Sequence, residues 1–115
     1  MTSLPSRHGL TNTQGGWTED MTFSEDEVEQ IEQAWRNVEK ALKHAGLKNP
    51  FDNIFSVRSY HVNQHYDTAE MMATITKKLF KDHAPIWTLI GVERLALPEM
   101  KVEIEVCAVV DDSSS

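Results

Sequence analysis

The chain has 115 residues, and its length and charge already exclude several classes of protein. That length suits one domain with its own core, and Cys107 as the sole cysteine leaves no intramolecular disulfide. The formal net charge of −7 disfavours a nucleic-acid partner, which needs clustered lysine and arginine. No apolar run reaches the roughly 20 residues of a membrane span, so we expect no membrane partner and a cytoplasmic location. The Ser/Thr-rich start with Arg7 leaves a mitochondrial location open.

The first half of the chain predicts a polar start followed by one long helix. Residues 1–22 are polar and indicate a loop or a short strand. Ser24 and Glu27 have the spacing of a capping box, and they open a run of apolar residues with helical periodicity. Gly46 suits the position just beyond a helix, so the pattern predicts a helix over 25–45.

The second half predicts three strands and one further helix. The predicted strands are 54–62, 86–95 and 101–110, and the predicted helix is 68–80 with Asp67 as its N-cap. The strand over 86–95 carries few charges, which favours a central place in the sheet. In 101–110 apolar residues alternate with Glu103, Glu105 and Cys107, as in a strand with one buried face.

This order of elements predicts an α+β fold. Two helices would cover one face of a mixed β-sheet of three strands, which makes a two-layer sandwich. The helices can cover only one face of that sheet. We expect the other face to carry apolar residues and to pack against further copies of the chain, so the protein should be an oligomer.

Several side chains on the predicted strands could bind or react with a ligand. Glu103 and Glu105 share one strand face and could form an acid/base pair, or could both lie at a solvated rim. Arg58 and Arg94 could each bind a carboxylate through two parallel hydrogen bonds, or form salt bridges with neighbouring glutamates. Cys107 is better explained as a structural thiol than as a nucleophile, because no basic neighbour is visible to activate it.

The histidines do not form a recognisable metal motif. His61 and His65 are four residues apart, but across the junction between a strand and a turn rather than along a helix. A zinc site needs a third ligand at a suitable spacing, and none is evident. No phosphate-cradling glycine loop is present either. We therefore expect no metal and no cofactor.

Three short motifs carry a resemblance to a known family. They are Thr13-Gln14-Gly15-Gly16-Trp17, Pro85-Ile86-Trp87-Thr88 with Gly91-Val92, and Val102-Glu103-Ile104-Glu105. Together they resemble the RidA/YjgF (reactive intermediate deaminase) family, formerly called L-PSP endoribonucleases, in a fungal-type form. The resemblance spans 13–110, between a polar N-terminal segment, 1–12, and a tail, 111–115, that we expect to be frayed. It implies a homotrimer with small-molecule clefts between its subunits.

The resemblance also implies roles for individual residues. The family hydrolyses imines and enamines of 2-amino acids, and the glutamate that positions its attacking water corresponds to Glu103. The residues that the resemblance or their place on a strand assigns to substrate binding are Trp87, Thr88, Gly91, Gln14, Trp17 and Arg58. The family's carboxylate-binding arginine is replaced by Trp87, and the N-terminal part is short, which implies that one or two strands are missing.

These departures leave three hypotheses for function. The first is a diverged enzyme, a hydrolase acting on an imine, enamine or carbonyl compound, with activity on standard 2-imino acids doubtful. The second is a non-catalytic, ligand-binding, chaperone-like or regulatory trimer. The third, an endoribonuclease, is disfavoured by the net charge of −7.

Overall fold

The computed structural model describes the backbone of residues 7–111 and the side chains of residues 8–110. In chain order the elements are β1 (Arg7–Gly15), α1 (Glu27–His44), α2 (Pro50–Asn53), β2 (Ile54–Val62), α3 (Tyr66–Leu79), β3 (Ile86–Val92) and β4 (Val102–Asp111). The strands form one sheet in the order β1-β4-β2-β3, in which β2 and β3 are parallel and the other pairs antiparallel. The predicted α+β class, with a mixed sheet and two long helices packed on it, is confirmed.

Strand β1 corrects the prediction of a three-stranded sheet. It pairs with β4 from Arg7 opposite Asp111 to Gly15 opposite Glu103, so the sheet has four strands among residues 7–111. The sequence of β1 is polar and lacks the alternating apolar residues by which strands are usually recognised. The predicted frayed tail, 111–115, begins at a residue that belongs to β4, and the rest of that tail, 112–115, lies outside the described residues. Residues 1–6 of the predicted polar N-terminal segment also lie outside the described residues.

Strand β3 lies at an edge of the sheet, which corrects its predicted central place. It ends at Val92 rather than at residue 95, and the central positions belong to β4 and β2. The small number of charged residues in β3 predicted that this strand is buried, yet the side chain of Ile86 is 72% exposed in the single chain. Burial within this chain therefore does not explain the apolar residue at position 86 of β3.

The long helix α1 begins two residues later than predicted. Its N-cap is Asp26, whose carboxylate accepts a hydrogen bond from the backbone N–H of Glu29. The expected capping box of Ser24 and Glu27 is not formed, because the Ser24 hydroxyl accepts from the Asp26 N–H instead. At the other end Gly46 has a φ of +110°, as predicted for the residue after a helix, so a side chain there would be strained.

Helix α3 begins at Tyr66, and its N-cap is His65 rather than the predicted Asp67. The His65 ring accepts a hydrogen bond from the Asp67 N–H, and the Thr68 hydroxyl accepts from the His65 N–H. The other ring nitrogen of His65 lies 2.7 Å from a carboxylate oxygen of Glu27. This pair joins the starts of α1 and α3.

The two faces of the sheet differ sharply. We call the side toward the helices the covered face and the opposite side the open face. On β4 the covered face presents Val102, Ile104, Val106 and Ala108, all fully buried in the core. The open face presents Glu103, Glu105 and Cys107, each half-buried. The predicted alternation along β4 is therefore confirmed.

The open face is polar at its centre, which corrects the prediction that apolar residues cover it. Residues paired across neighbouring strands share a face. One such row across the sheet is Thr13, Glu105, Arg58 and Thr88. Apolar side chains such as Ile86 occur toward the β3 edge. Across the described residues, no helix is long and apolar enough to span a membrane.

Candidate functional site

A tight glycine turn after β1 positions two of the predicted site residues, Gln14 and Trp17. The side-chain amide of Asn37 on α1 donates hydrogen bonds to the backbone carbonyls of Gly15 and Trp17, both at 2.8 Å. A Cβ atom at Gly16 would lie 2.5 Å from the backbone oxygen of Gln30. Only glycine allows the turn to approach the helix so closely.

Gln14 and Trp17 line a wide, open groove of about 760 Å³ between this turn and the second half of α1. Its other wall includes Lys40 and Lys43. Both lysines are already paired, Lys40 with Glu19 at 3.2 Å and Lys43 with Glu39 at 3.4 Å. The groove therefore offers a ligand an aromatic surface, and its two lysines already form ion pairs within the chain.

Trp87 lies on β3 opposite Val57 of β2, which places its side chain on the covered face. Its indole Nε1–H donates a hydrogen bond of 2.9 Å to the hydroxyl of Ser59, a fully buried residue. The N–H of Trp87 is thus committed within the chain. What Trp87 offers to a ligand is an apolar aromatic surface and no donor.

Trp87 forms one wall of a smaller cavity of about 200 Å³. The cavity lies between the second half of α3 and the sheet, and the turn before β3 closes one side. Its lining residues are Val57, Ala73, Thr76, Lys77, Phe80, His83, Ala84, Pro85 and Trp87. We call this cavity the Trp87 pocket.

The open face gathers the charged candidates. Arg58 pairs in register with Glu105 and with Thr88, and Glu103 pairs with Tyr60. Among the ion pairs between described residues none includes Arg58, so the alternative of a salt bridge to a neighbouring glutamate is not realised within the chain. Arg58 therefore lies next to Glu105 without forming an ion pair with any described residue.

Tyr60 is an open-face residue that sequence reasoning did not single out. Its hydroxyl donates a hydrogen bond of 2.9 Å to Glu105. This bond and partial desolvation raise the pKa of Tyr60, and the nearby Arg58 opposes them. The sequence signal that could have identified this hydrogen bond is a tyrosine on one strand and a glutamate two residues from the position opposite it on the next strand. Long side chains on such diagonal neighbours can reach each other.

Within one chain, Trp87 lies on the covered face and Glu103 on the open face of the sheet. The resemblance predicts that Glu103 approaches Trp87 and Thr88 in a cleft between subunits, and this stays a prediction. Thr88 does lie on the open face, one row from Glu103. Gly91 pairs with His61, and a Cβ atom there would lie 2.8 Å from the Gln64 side-chain oxygen.

His61 is fully buried on the covered face, and neither of its ring nitrogens has a hydrogen-bond partner among the residues that the structure describes. Burial lowers its pKa, and the charge of Glu27 partly opposes this effect. His65 is occupied by Glu27, so the two histidines do not converge on a common ligand. Within the part of the chain that the structure describes, no group of three or more His, Cys, Asp or Glu could hold a metal ion.

Comparison with protein families and solved structures places this geometry in context. The sequence profile of the family described as Endoribonuclease L-PSP matches residues 10–110. The curated proteins include no match to the chain. A Rid-family protein of unknown function from Yersinia pestis, YyfB, has a similar structure with a TM-score of 0.79 and 27% identity, over 95% of this chain and 83% of that chain.

Two further solved structures are similar. The protein YJGH is 32% identical with a TM-score of 0.74, over 86% of this chain and 73% of that chain. Yeast Mmf1 is 28% identical with a TM-score of 0.72, over 84% of this chain and 74% of that chain. The sequence profile and the folds agree over nearly the whole described chain.

Proposed function

This chain belongs to the Endoribonuclease L-PSP family, which includes the RidA/YjgF proteins, and on that premise we propose that it is a small-molecule protein whose sites form between the subunits of a homotrimer. We further propose that Trp87, where the family motif has arginine, directs those sites toward ligands without a carboxylate. Turnover of an imine, enamine or carbonyl compound is the proposed activity.

The observation that carries this proposal is the distribution of the candidate residues over the sheet. Gln14 lies at the end of β1 and Thr88 on β3, and these strands are the two opposite edges of one sheet. No single chain can bring both edges into one cleft. Two copies can do so when the β1 edge of one approaches the β3 edge of the other, as in a closed ring of identical subunits.

The residues of the open face are a second observation that supports assembly into a homotrimer. Arg58 forms no ion pair with another described residue, although it is paired in register with Glu105. A second subunit could supply one, because neighbouring copies carry the same row of carboxylates and cations. Exposed apolar residues at the β3 edge, Ile86 among them, would be buried by the same contact.

Trp87 changes what such a site can bind. Arginine holds a carboxylate through two parallel charged hydrogen bonds. Trp87 has one N–H, and Ser59 already accepts it. Loss of a charged two-pronged anchor costs on the order of 2–5 kcal/mol in binding. We therefore expect a preference for neutral or aromatic ligands over amino-acid-derived anions.

Glu103 is the proposed catalytic residue, acting as the base that activates water or as an acid. It lies half-buried on the open face beside Tyr60. The alternative function, a binding or regulatory trimer without turnover, is favoured by the separation of Glu103 from Trp87 within the chain. Ribonuclease activity has weaker support, because the chain carries a net charge of −7 and Arg58 on the open face lies opposite the carboxylate of Glu105.

Assembly is the first test. Light scattering with sedimentation at micromolar concentration should give three times the mass of the chain. Arg58→Ala should weaken that assembly, whereas Arg36→Ala, which removes an arginine from the exposed side of α1, should not. A monomeric wild-type protein would contradict the inter-subunit site.

The role of Glu103 is the second test. Glu103→Gln keeps the shape of the side chain and removes its charge. If Glu103 is catalytic, turnover of a panel of neutral imines should fall at least tenfold while the melting temperature stays within about 2 °C. A fall of several degrees with turnover unchanged would show that Glu103 only stabilises the interface. Binding without turnover in both proteins would favour the non-catalytic trimer.

A further inference from the structure

The Trp87 pocket is small and largely apolar. Some of its polar groups already form hydrogen bonds within the chain, and one, on His83, forms none with a described residue. Its volume of about 200 Å³ is below the roughly 300–1,000 Å³ of sites for drug-sized ligands. The walls include the indole of Trp87, the ring of Phe80 and the side chains of Val57 and Pro85. Flat aromatic rings pack well against such walls, because they add stacking to the burial of apolar area.

The hydrogen-bond donors of the buried walls are already used. The Thr76 hydroxyl donates to backbone carbonyls of the preceding turn of α3, at 2.8 Å and 3.1 Å. The Trp87 N–H donates to Ser59 at 2.9 Å. A ligand that needs donors, such as a carboxylate, therefore finds no free side-chain donor at Thr76 or Trp87.

His83, at the mouth of the pocket, is different. Its Nε2 lies 2.7 Å from the backbone carbonyl of Ile54. A carbonyl only accepts, so Nε2 must carry the proton of the neutral ring, and this fixes the tautomer. The remaining nitrogen, Nδ1, is then an acceptor, and no described residue forms a hydrogen bond with it.

We propose that the Trp87 pocket binds a small neutral aromatic compound with one O–H or N–H donor, which His83 Nδ1 accepts. This inference rests on the proposed function, because it identifies the class of ligand that the Trp87 site accepts in place of a carboxylate. His83 is a specificity-determining residue in this account. Lys77 is exposed and lines the Trp87 pocket, so it could attract an anionic ligand in place of the neutral aromatic compound.

Phenol is the probe for this proposal, with anisole and benzoate as matched comparisons. Anisole keeps the ring and lacks the donor, and benzoate replaces the donor with a carboxylate. One hydrogen bond at a partly exposed site is worth roughly 0.5–1.5 kcal/mol, so phenol should bind about 3–10-fold more tightly than anisole. Benzoate should bind no more tightly than anisole.

The readout is the indole N–H signal of Trp87 in ¹H–¹⁵N NMR spectra, assigned with Trp87→Phe among the three tryptophans of the chain. Ala73→Leu should fill the pocket and reduce phenol binding at least tenfold. Ala69→Leu makes the same change one helical turn earlier, at an exposed position that does not line the pocket, and should leave binding unchanged. His83→Phe should remove the preference for phenol over anisole while the ring contacts remain.

Two results would overturn the proposal. The first is tighter binding of benzoate than of phenol, abolished by Lys77→Met, which would identify an anion site. The second is phenol binding that is unaffected by Ala73→Leu, with the spectrum of that variant still that of the folded protein. Neither result depends on trimer formation or on imine turnover, so failure of this inference is distinguishable from failure of the proposed function.

Discussion

The covered and open faces of β4 show how differently one strand can be constrained on its two sides. Ile104 is fully buried against the helices of its own chain, and its neighbour Glu105 is half-buried and hydrogen-bonded to Tyr60. The covered face is completed within one chain. The open face has charges and hydroxyls whose partners are only partly present there. Stability should therefore depend mainly on the covered face, whereas the proposed assembly and the proposed role of Glu103 should depend on the open face.

The largest expected effect comes from breaking the covered face. Ile104→Ala removes three buried carbon atoms from the core and should lower the free energy of unfolding by about 2–5 kcal/mol. Glu105→Gln on the adjacent position is the matched control, and it should cost less than about 1 kcal/mol. Urea denaturation of both variants checks the comparison. Equal losses would mean that the two faces are not distinct in the way described.

The glycine turn after β1 gives the next effect. Gly16→Ala places a Cβ atom 2.5 Å from the Gln30 backbone oxygen, so the turn or α1 must shift. Such overpacking typically costs 1–3 kcal/mol. Gly9→Ala, on the preceding strand β1, is the control, because a Cβ atom there meets nothing within 4 Å. Thermal unfolding should separate the two variants, and similar melting temperatures would contradict the close approach of the turn to α1.

The dependence of stability on pH tests the role of His61, which is buried on the covered face and has no hydrogen-bond partner among the described residues. Burial lowers the pKa of His61 below its usual value of 6.5. The unfolded chain therefore takes up a proton below about pH 6.5 that the folded chain resists, and stability falls as the pH drops from there through the lowered pKa. His61→Leu should flatten this decline between pH 7 and pH 5.

The same substitution should not destabilise the protein at pH 7, because it removes a polar ring with no hydrogen-bond partner from the core. His8→Gln, at an exposed site on β1, should leave the pH dependence as in the wild-type protein. An unaltered acid transition in His61→Leu would show that other groups control it.

The smallest effect is expected on the open face of the single chain. Tyr60→Phe removes the hydrogen bond to Glu105, which is partly exposed and should be worth less than about 1 kcal/mol. Its more informative consequence is on assembly, since Glu105 would then be free to pair with a cation. Sedimentation of Tyr60→Phe should show an unchanged or stronger trimer. Dissociation would mean that Tyr60 itself forms the subunit contact.

The sequence predicted those parts of the fold that periodicity and caps determine locally. The alternation in β4, the full extent of β2 and the end of α1 at Gly46 were all readable, because each depends on nearby residues. The place of β3 at an edge was not, since strand order depends on pairing between distant segments. The polar segment that forms β1 was left open between a loop and a short strand for a related reason: β1 is held by β4 and α1 rather than by its own apolar pattern.

The sequence proposed a set of candidate site residues, but it did not predict how they are arranged on the sheet. Motifs identified Trp87, Thr88 and Glu103, yet not that Trp87 faces away from Glu103. A one-residue change of register reverses the face of every side chain in a strand, so facing cannot be inferred from a motif alone. The hydrogen bond from Trp87 to Ser59 joins two strands, and nothing in either segment indicated it.

The most direct test of the central claim is turnover of 2-iminobutanoate by the wild-type protein and by Trp87→Arg, with Trp87→Lys as the control for charge without the two-pronged geometry. The account predicts that wild-type turnover is near the uncatalysed background, because the chain's Trp87 cannot bind the substrate carboxylate. Trp87→Arg should raise turnover, and Trp87→Lys should raise it less. Wild-type turnover comparable to that of an arginine-bearing relative would contradict the claim and would point to another cation, Arg58 or Arg94, as the carboxylate anchor.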